Sequence, residues 1–364
     1  MEWRHLFSSS LLADLTAVYG KYSFNAVDNV FPPTAYSQKY AINHYEFKTD
    51  FIWYPGEKQT VTFGGNSIIY GLMRGNILPS GDESLRVPVV LGNETGVESA
   101  IYISDEIILL PRLSIYGGLR YSFYALLGPR TVYKYYAEGP KNELNINDSL
   151  IFKQGEIIKT YSGPELRGAI NYSTGTNSSL KISYNRIRQY LFMLSNTIAI
   201  SPTDQWKLCD YYIKPPFSDQ VSAGFYKDFP LTDLNTSVEL YYKKIHNAVD
   251  FKDGAGFLTT QNIETELLQG NQSAYGIEMM VKKNAGKLSG WVSYAYSHSE
   301  VLINGFYPWE KINSGHPYLA NYDKPHSFNL VMNYHTNRRL SFSSNVVYST
   351  GRPVTYPLSI YSFL

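Results

Sequence analysis

Six short polar turns, centred near Gly56, Pro111, Thr176, Leu231, Gly286 and Asn337, punctuate the chain at separations of 55, 65, 55, 55 and 51 residues. On both sides of each turn, apolar or aromatic residues alternate with small polar ones. Much longer connections lie between the turns. Alternation at period 2 sends the two residue classes to opposite faces of an extended strand. Short turns on one side and long loops on the other are the asymmetry that a membrane-spanning β-barrel requires.

The pattern is clearest in the last hairpin. Phe328, Leu330, Met332 and Tyr334 alternate with Ser327, Asn329 and Asn333; after His335 to Arg339, Leu340, Phe342, Val346 and Tyr348 alternate with Ser341, Ser343, Asn345 and Ser349. Elsewhere Tyr275, Ile277, Met279 and Val281 alternate with Gly276, Glu278 and Lys282, and Leu113, Ile115, Leu119, Tyr121 and Phe123 with Ser114, Gly118, Arg120 and Ser122. Such runs match the length of a tilted membrane crossing, about 10 residues, and exceed the roughly 5–6 usual in soluble sheets. Ionic residues recur on the small-polar face: Arg120, Arg167, Lys181, Glu239, Glu278 and Lys282. They read as lumen-wall residues, solvated or paired with one another. Alternation alone does not say which face is inside, and a soluble sandwich would reverse the assignment.

The spacing predicts about thirteen strands, near residues 11 to 24, 38 to 54, 58 to 73, 97 to 110, 112 to 127, 164 to 174, 178 to 194, 218 to 229, 234 to 251, 272 to 284, 287 to 300, 324 to 335 and 339 to 350. Single-chain bacterial barrels have even strand numbers. Thirteen therefore predicts a wall incomplete at both ends, with the whole chain, residues 1–364, as one barrel domain. The stretch Met1 to Leu15, broken by Ser8 to Ser10 and Asp14, carries no export signal, which predicts a true N-terminus upstream of it. The long connections fall at Arg74 to Gly96, Gly128 to Gly163, Ser195 to Phe217, Lys252 to Asn271, Val301 to Asp323 and from Gly351 onward.

Composition agrees with this reading. Aromatics make up 15% of the chain, with 33 Tyr against 18 Phe and 5 Trp, and Tyr combines an apolar ring with a wet tip suited to a headgroup region. Charged residues, at 17%, fall below the roughly 25% of ordinary soluble domains. The mean hydropathy of −0.25 carries no contrary weight, because only alternate residues of a barrel face lipid. Apolar runs such as Ile107 to Leu110 are far short of a spanning helix, which takes about 18 residues or more. A net charge of +1 without any Lys/Arg block gives no reason to expect a nucleic-acid partner.

Candidate binding residues sit in the loops: Tyr133, Tyr135 and Tyr136, Trp206, and Phe306, Tyr307 and Trp309. Such rings suit a recognition mouth and equally a lipid-interface girdle. No residue set suggests catalysis, a metal or a cofactor. The lone Cys209 forms no internal disulfide, the spacing of His298, Glu300 and His316 matches no ligand pattern, and Asp323 to His326 reads as a loop returning to a strand rather than a catalytic run. No nucleophile elbow or phosphate-cradling glycine loop occurs.

With strands and loops placed, the sequence resembles the barrel of a TonB-dependent outer-membrane receptor of the Bacteroidetes type. The resemblance is carried by Glu94-Thr95-Gly96-Val97-Glu98 leading into Ala100-Ile101-Tyr102, Gly118-Leu119-Arg120-Tyr121-Ser122, Tyr275-Gly276-Ile277-Glu278, Asp323-Lys324-Pro325-His326-Ser327-Phe328-Asn329, and Gly351-Arg352-Pro353-Val354-Thr355. It implies a 22-stranded antiparallel transmembrane barrel in the bacterial outer membrane, closed by an N-terminal plug that is not recognisable here. It further implies TonB as a partner through that N-terminal region, outer-membrane lipid around the wall, and a small-molecule or oligomeric nutrient ligand: a metal chelate, cofactor, peptide or glycan. The expected function is nutrient uptake rather than catalysis. The alternatives are a passive porin-like or structural barrel and, more distantly, a soluble carbohydrate-binding β protein or an outer-membrane enzyme.

Overall fold

A computed structural model describes residues 1–195, 204–255 and 261–354. Its regular structure consists of β-strands and a few short 3-10 turns. A turn at Ser9 and Ser10 joins β1 (Glu2–Ser8) to β2 (Leu11–Asp28). The longest hairpin follows, with 21 residues each in β3 (Tyr36–Gly56) and β4 (Gln59–Pro79). A short β5 (Val89–Val90) flanks the loop end of β4, and β6 (Asn93–Leu110) and β7 (Leu113–Leu127) form the next hairpin. The loop after β7 holds a hairpin of its own, β8 (Arg130–Tyr135) with β9 (Ile146–Phe152).

The wall resumes with β10 (Ile157–Gly175) and β11 (Ser178–Arg188). A second loop hairpin pairs β12 (Leu191–Leu194) with β13 (Gln205–Leu208). Next come β14 (Phe217–Phe229), β15 (Leu234–Phe251), β16 (Leu267–Lys283) and β17 (Leu288–Leu302). A short β18 (Tyr318–Leu319) pairs with β17, and β19 (His326–Asn337) with β20 (Leu340–Ser349) ends the sheet.

Every neighbouring pair is antiparallel, and the sheet runs in the order β1-β2-β3-β4-β6-β7-β10-β11-β14-β15-β16-β17-β19-β20. All six turns foreseen from the sequence lie between consecutive wall strands, and each of the thirteen expected strands coincides with a wall strand, except that the run expected over 178 to 194 leaves the wall at Arg188 and its last residues, Leu191–Leu194, pair in a loop hairpin instead. Among the described residues the wall has one strand more, β1, which the turn spacing does not predict. Its alternation is visible in retrospect: Trp3 stacks on His5 at 5.2 Å and His5 meets Phe7 edge-on at 4.6 Å, three alternate residues on one face. With fourteen strands in the continuous order, the argument from odd parity fails. The sheet is nonetheless open among the described residues, since β1 and β20 are not paired with each other. Parts of three predicted loops, at 196–203, 256–260 and 355–364, the last including Thr355, lie outside the described residues.

The register decides which face is which. Tyr172, Leu180, Phe225, Val238, Met279, Tyr294, Phe328 and Tyr348 are direct partners in one continuous row from β10 to β20. Phe51, Phe63, Ile103, Leu119 and Leu166 form a second such row from β3 to β10. Most of these large apolar side chains are more than a third exposed. One residue along, the partners are Lys181, Gly224, Glu239, Glu278 and Ala295. A one-residue step swaps faces in a strand, so the apolar rows cover the outside and the ionic row lines the concave side. Water tolerates no apolar band of this extent on a monomer, whereas a bilayer requires one.

At about 3.3 Å per residue, β3 and β4 run roughly 70 Å, well beyond what a tilted crossing of the hydrocarbon core needs. The surplus projects at the loop end, and there the packed core sits. The loop hairpins β8–β9 and β12–β13 fold inward onto the concave face. Leu208, Phe192, Leu194, Val132 and Ile213 pack against Tyr70, Leu72, Tyr124 and Leu126 of the wall. Gly96 permits the approach: a Cβ there would lie 3.0 Å from the Tyr124 ring and 3.1 Å from Leu208 Cδ1.

Candidate functional site: the inward-folded loops and inner wall

Two layers of polar residues lie inside the wall. The lower is a network on the strands themselves. The Arg120 guanidinium donates to Asn66 Oδ1 at 2.9 Å and to Glu98 Oε1 at 3.4 Å, and sits 3.6 Å from Glu165. Tyr70 donates to Glu98 at 3.1 Å, Asn66 to Glu46 at 3.3 Å, and Lys48 pairs with Asp50 at 2.8 Å. These residues stand on alternate positions of β3, β4, β6, β7 and β10, so the pleat alone directs them inward.

Of the six ionic wall residues expected from the sequence, all fall on this concave face. Arg120 alone enters an ion pair among the described residues; Arg167 lies near it across a shallow depression, and Lys181 shares the inner row with Glu239 and Glu278. Glu239 and Glu278 are direct cross-strand partners, a like-charge juxtaposition that stands only where water can reach it. Tyr226 donates to Glu239. Lys282 is paired with Asn235 and Trp291 near the turn end.

The upper layer is a buried ion cluster that the sequence reading missed. Lys207 of β13 is fully buried and lies 2.7 Å from both Glu94 and Asp210. Arg130 of β8 reaches Glu94 at 3.0 Å, Asp210 at 3.5 Å and Glu264 at 3.7 Å. Arg74 stands 3.8 Å from Glu94 and donates to the carbonyls of Leu91 and Gln261. Glu94 also accepts the Leu208 amide at 3.1 Å. Three cations thus face three carboxylates, drawn from two wall strands, both loop hairpins and the segment before β16. Burial pushes the Asp210 carboxyl up, but Lys207 and Arg130 outweigh it and hold the group at about 2. Burial raises the Cys209 thiol well above its ordinary value, and its Sγ–H donates to the Gln189 carbonyl at 3.6 Å, so this cysteine is inert packing. The only local hint of the cluster is Lys207 three residues before Asp210; Glu94 opens the Glu94-Thr95-Gly96-Val97-Glu98 motif.

The aromatic loop residues divide. Tyr135, Tyr136 and Trp309 line one cleft of about 240 Å3, together with Lys141, Tyr212, Lys252, Glu264 and Glu310. Tyr307 stacks on Trp309 at 4.6 Å and Phe306 meets Tyr307 edge-on at 5.0 Å, so the three rings form one plinth behind the cleft, with Phe306 itself largely exposed. Tyr135 donates to Glu264 at 3.4 Å and lies 5.7 Å from the Tyr212 ring. Tyr133 is absent from the lining; its carbonyl accepts the Tyr212 hydroxyl at 2.6 Å. Trp206 packs against the loop core. Asp323 to His326 is structural, as expected: Asp323 accepts the Ser299 amide at 2.7 Å, and Ser297 donates to the Lys324 and Pro325 carbonyls.

A family model described as TonB dependent receptor-like, beta-barrel, matches residues 2–359. No curated protein sequence matches the chain. Among solved structures, the ferric-catecholate import receptor Fiu from K12 E. coli is similar with a TM-score of 0.58 at 14% identity, over 95% of this chain and 52% of that one. The siderophore receptor PiuA from Acinetobacter baumannii gives 0.62 at 12% identity, over 96% and 53%. The copper transporter OprC gives 0.62 at 10% identity, over 90% and 48%. At such identities the likeness concerns the fold. The chain spans about half the length of these structures.

Proposed function

The chain belongs to the TonB-dependent receptor β-barrel family, a family of bacterial outer-membrane transporters, and on that premise we propose that it forms the wall and ligand-facing loops of a receptor for a scarce nutrient. The ligand is a metal chelate, cofactor, peptide or glycan that meets the aromatic cleft first and then passes the polar inner wall. Energy for uptake comes through TonB and an N-terminal plug. The observation that carries this reading is the inward folding of the loops: two hairpins pack on the concave face and are tied there by a balanced ion cluster, leaving a cleft lined by Tyr135, Tyr136 and Trp309. A passive pore has no use for a mouth so filled.

The test uses the full gene with its natural flanks, expressed in cells with and without TonB. Uptake of the growth-limiting nutrient is expected to vanish without TonB, and the purified protein to show no large open conductance in planar bilayers. A large, TonB-independent conductance would replace this reading with a passive barrel.

A further inference from the structure

In the aromatic cleft, every charged group but one is committed to a neighbour. Glu264 accepts the Tyr135 hydroxyl and lies beside Arg130. Glu310 accepts the amides of Phe306 and Tyr307 at 3.1 and 3.2 Å. Lys252 pairs with Glu266 at 3.1 Å and donates to the Thr265 carbonyl at 2.9 Å. Lys141 is different. Its ammonium meets the face of the Tyr212 ring at 4.8 Å and, among the described residues, neither a carboxylate within 4 Å nor a hydrogen-bond acceptor. The Tyr212 ring is held in turn by its hydroxyl bond to the Tyr133 carbonyl. The backbone that presents Lys141 is fixed as well: Asn145 donates to the carbonyls of Tyr136 and Pro140, and its own carbonyl accepts the Tyr136 amide.

The half-buried ammonium feels Glu264, Asp210 and Glu310 at a distance but is in direct contact with none of them, so it has lost water without a contacting anion. Burial outweighs those carboxylates and lowers its pKa from the ordinary lysine value. Beside it stand exposed faces of Tyr136 and Trp309, the stacking surface for one flat or pyranose ring. A cleft of about 240 Å3 is smaller than the roughly 300–1,000 Å3 of sites that enclose a whole drug-sized ligand, so it takes one ring-sized terminus.

Building on the ligand-facing reading of this cleft, we infer that it recognises a ring bearing a carboxylate, with Lys141 pairing the carboxylate and Trp309 and Tyr136 flanking the ring. The carboxylate displaces nothing that Lys141 now holds, and a charge-assisted bond in a partly desolvated site discriminates anion from neutral isostere by about tenfold or more.

The experiment measures binding of glucuronate, glucose, benzoate and benzyl alcohol to the full-length receptor in lipid nanodiscs by saturation-transfer NMR. At least one carboxylated ring is expected to bind about tenfold tighter than its neutral counterpart. Which of the two does so separates a saccharide terminus from an aromatic one. Lys141→Gln should abolish the preference, Lys141→Arg should keep most of it, and Trp309→Ala should weaken acid and neutral ring alike. Equal binding of neutral and anionic probes, lost in Trp309→Ala but indifferent to Lys141→Gln, would overturn the carboxylate inference and leave the ligand-facing cleft standing. No binding of any probe, or binding indifferent to both substitutions, would overturn both.

Discussion

Replacing Lys207 by Met tests whether the loop hairpins are held inward by charge. The side chain keeps nearly the same length, so the change removes an ammonium and little volume. That ammonium touches Glu94 and Asp210 at 2.7 Å each and donates to the Leu208 carbonyl at 2.9 Å, with no exposure to solvent. Its loss takes the six-membered cluster from neutral to one excess negative charge and leaves three buried carboxylates sharing Arg130. Stranding a buried charge in this way costs about 3–5 kcal/mol. The wall is held by its own ladders and lipid, so the cost falls on the weakest attached unit, the four-residue strands β12 and β13.

Hydrogen exchange of the full chain in lipid should therefore speed by roughly a hundredfold or more across Leu191–Leu194 and Gln205–Leu208. Wall amides of β7 and β10 should not move. The double variant Lys207→Met, Asp210→Asn restores neutrality and keeps the Asn oxygen available to the Tyr212 and Ile213 amides, which Asp210 now accepts at 2.9 Å; protection should largely return. Exchange within twofold of the parent in the single variant would show that apolar packing alone holds the hairpin and that the ion cluster is incidental.

Two further outcomes follow from the same geometry. Leu119→Arg places a charge on the lipid-facing row and should cost about 2–4 kcal/mol in folding titrations from urea into bilayers, whereas Arg167→Leu on the inner face should change little. Asp210, held at about 2 when folded and near 3.9 when unfolded, contributes stability that is complete above about pH 4 and is lost as pH falls through 2; the loop core should lose roughly 2–3 kcal/mol across that window, read as hydrogen exchange in β12 and β13 at decreasing pH.

The wall was legible because its rule is local. Successive residues of a strand face opposite ways, so Leu119 beside Arg120 and Val238 beside Glu239 betray two environments without knowledge of any partner strand. β1 escaped because seven residues between the start of the chain and a Ser-rich turn offer few alternations to count. The loop core obeys no local rule. Glu94, Arg130, Lys207 and Glu264 are brought together from across 170 residues by the folding of two hairpins, and no spacing announces it. The aromatic loop residues part company for the same reason: Tyr135, Tyr136 and Trp309 meet across the cleft, while Trp206, indistinguishable from them by composition, turns to the core.

The central claim is that the apolar rows face lipid and the ionic rows face an aqueous lumen. It is tested most directly by single cysteines at positions 118 to 123 of β7, in a background with Cys209→Ser, each carrying a spin label in the full-length protein in bilayers. Labels at 119, 121 and 123 are predicted to relax with oxygen dissolved in the hydrocarbon, and labels at 118, 120 and 122 to show little such relaxation. Uniform contact with a water-soluble nickel chelate along the strand, or the opposite alternation, would contradict a transmembrane wall.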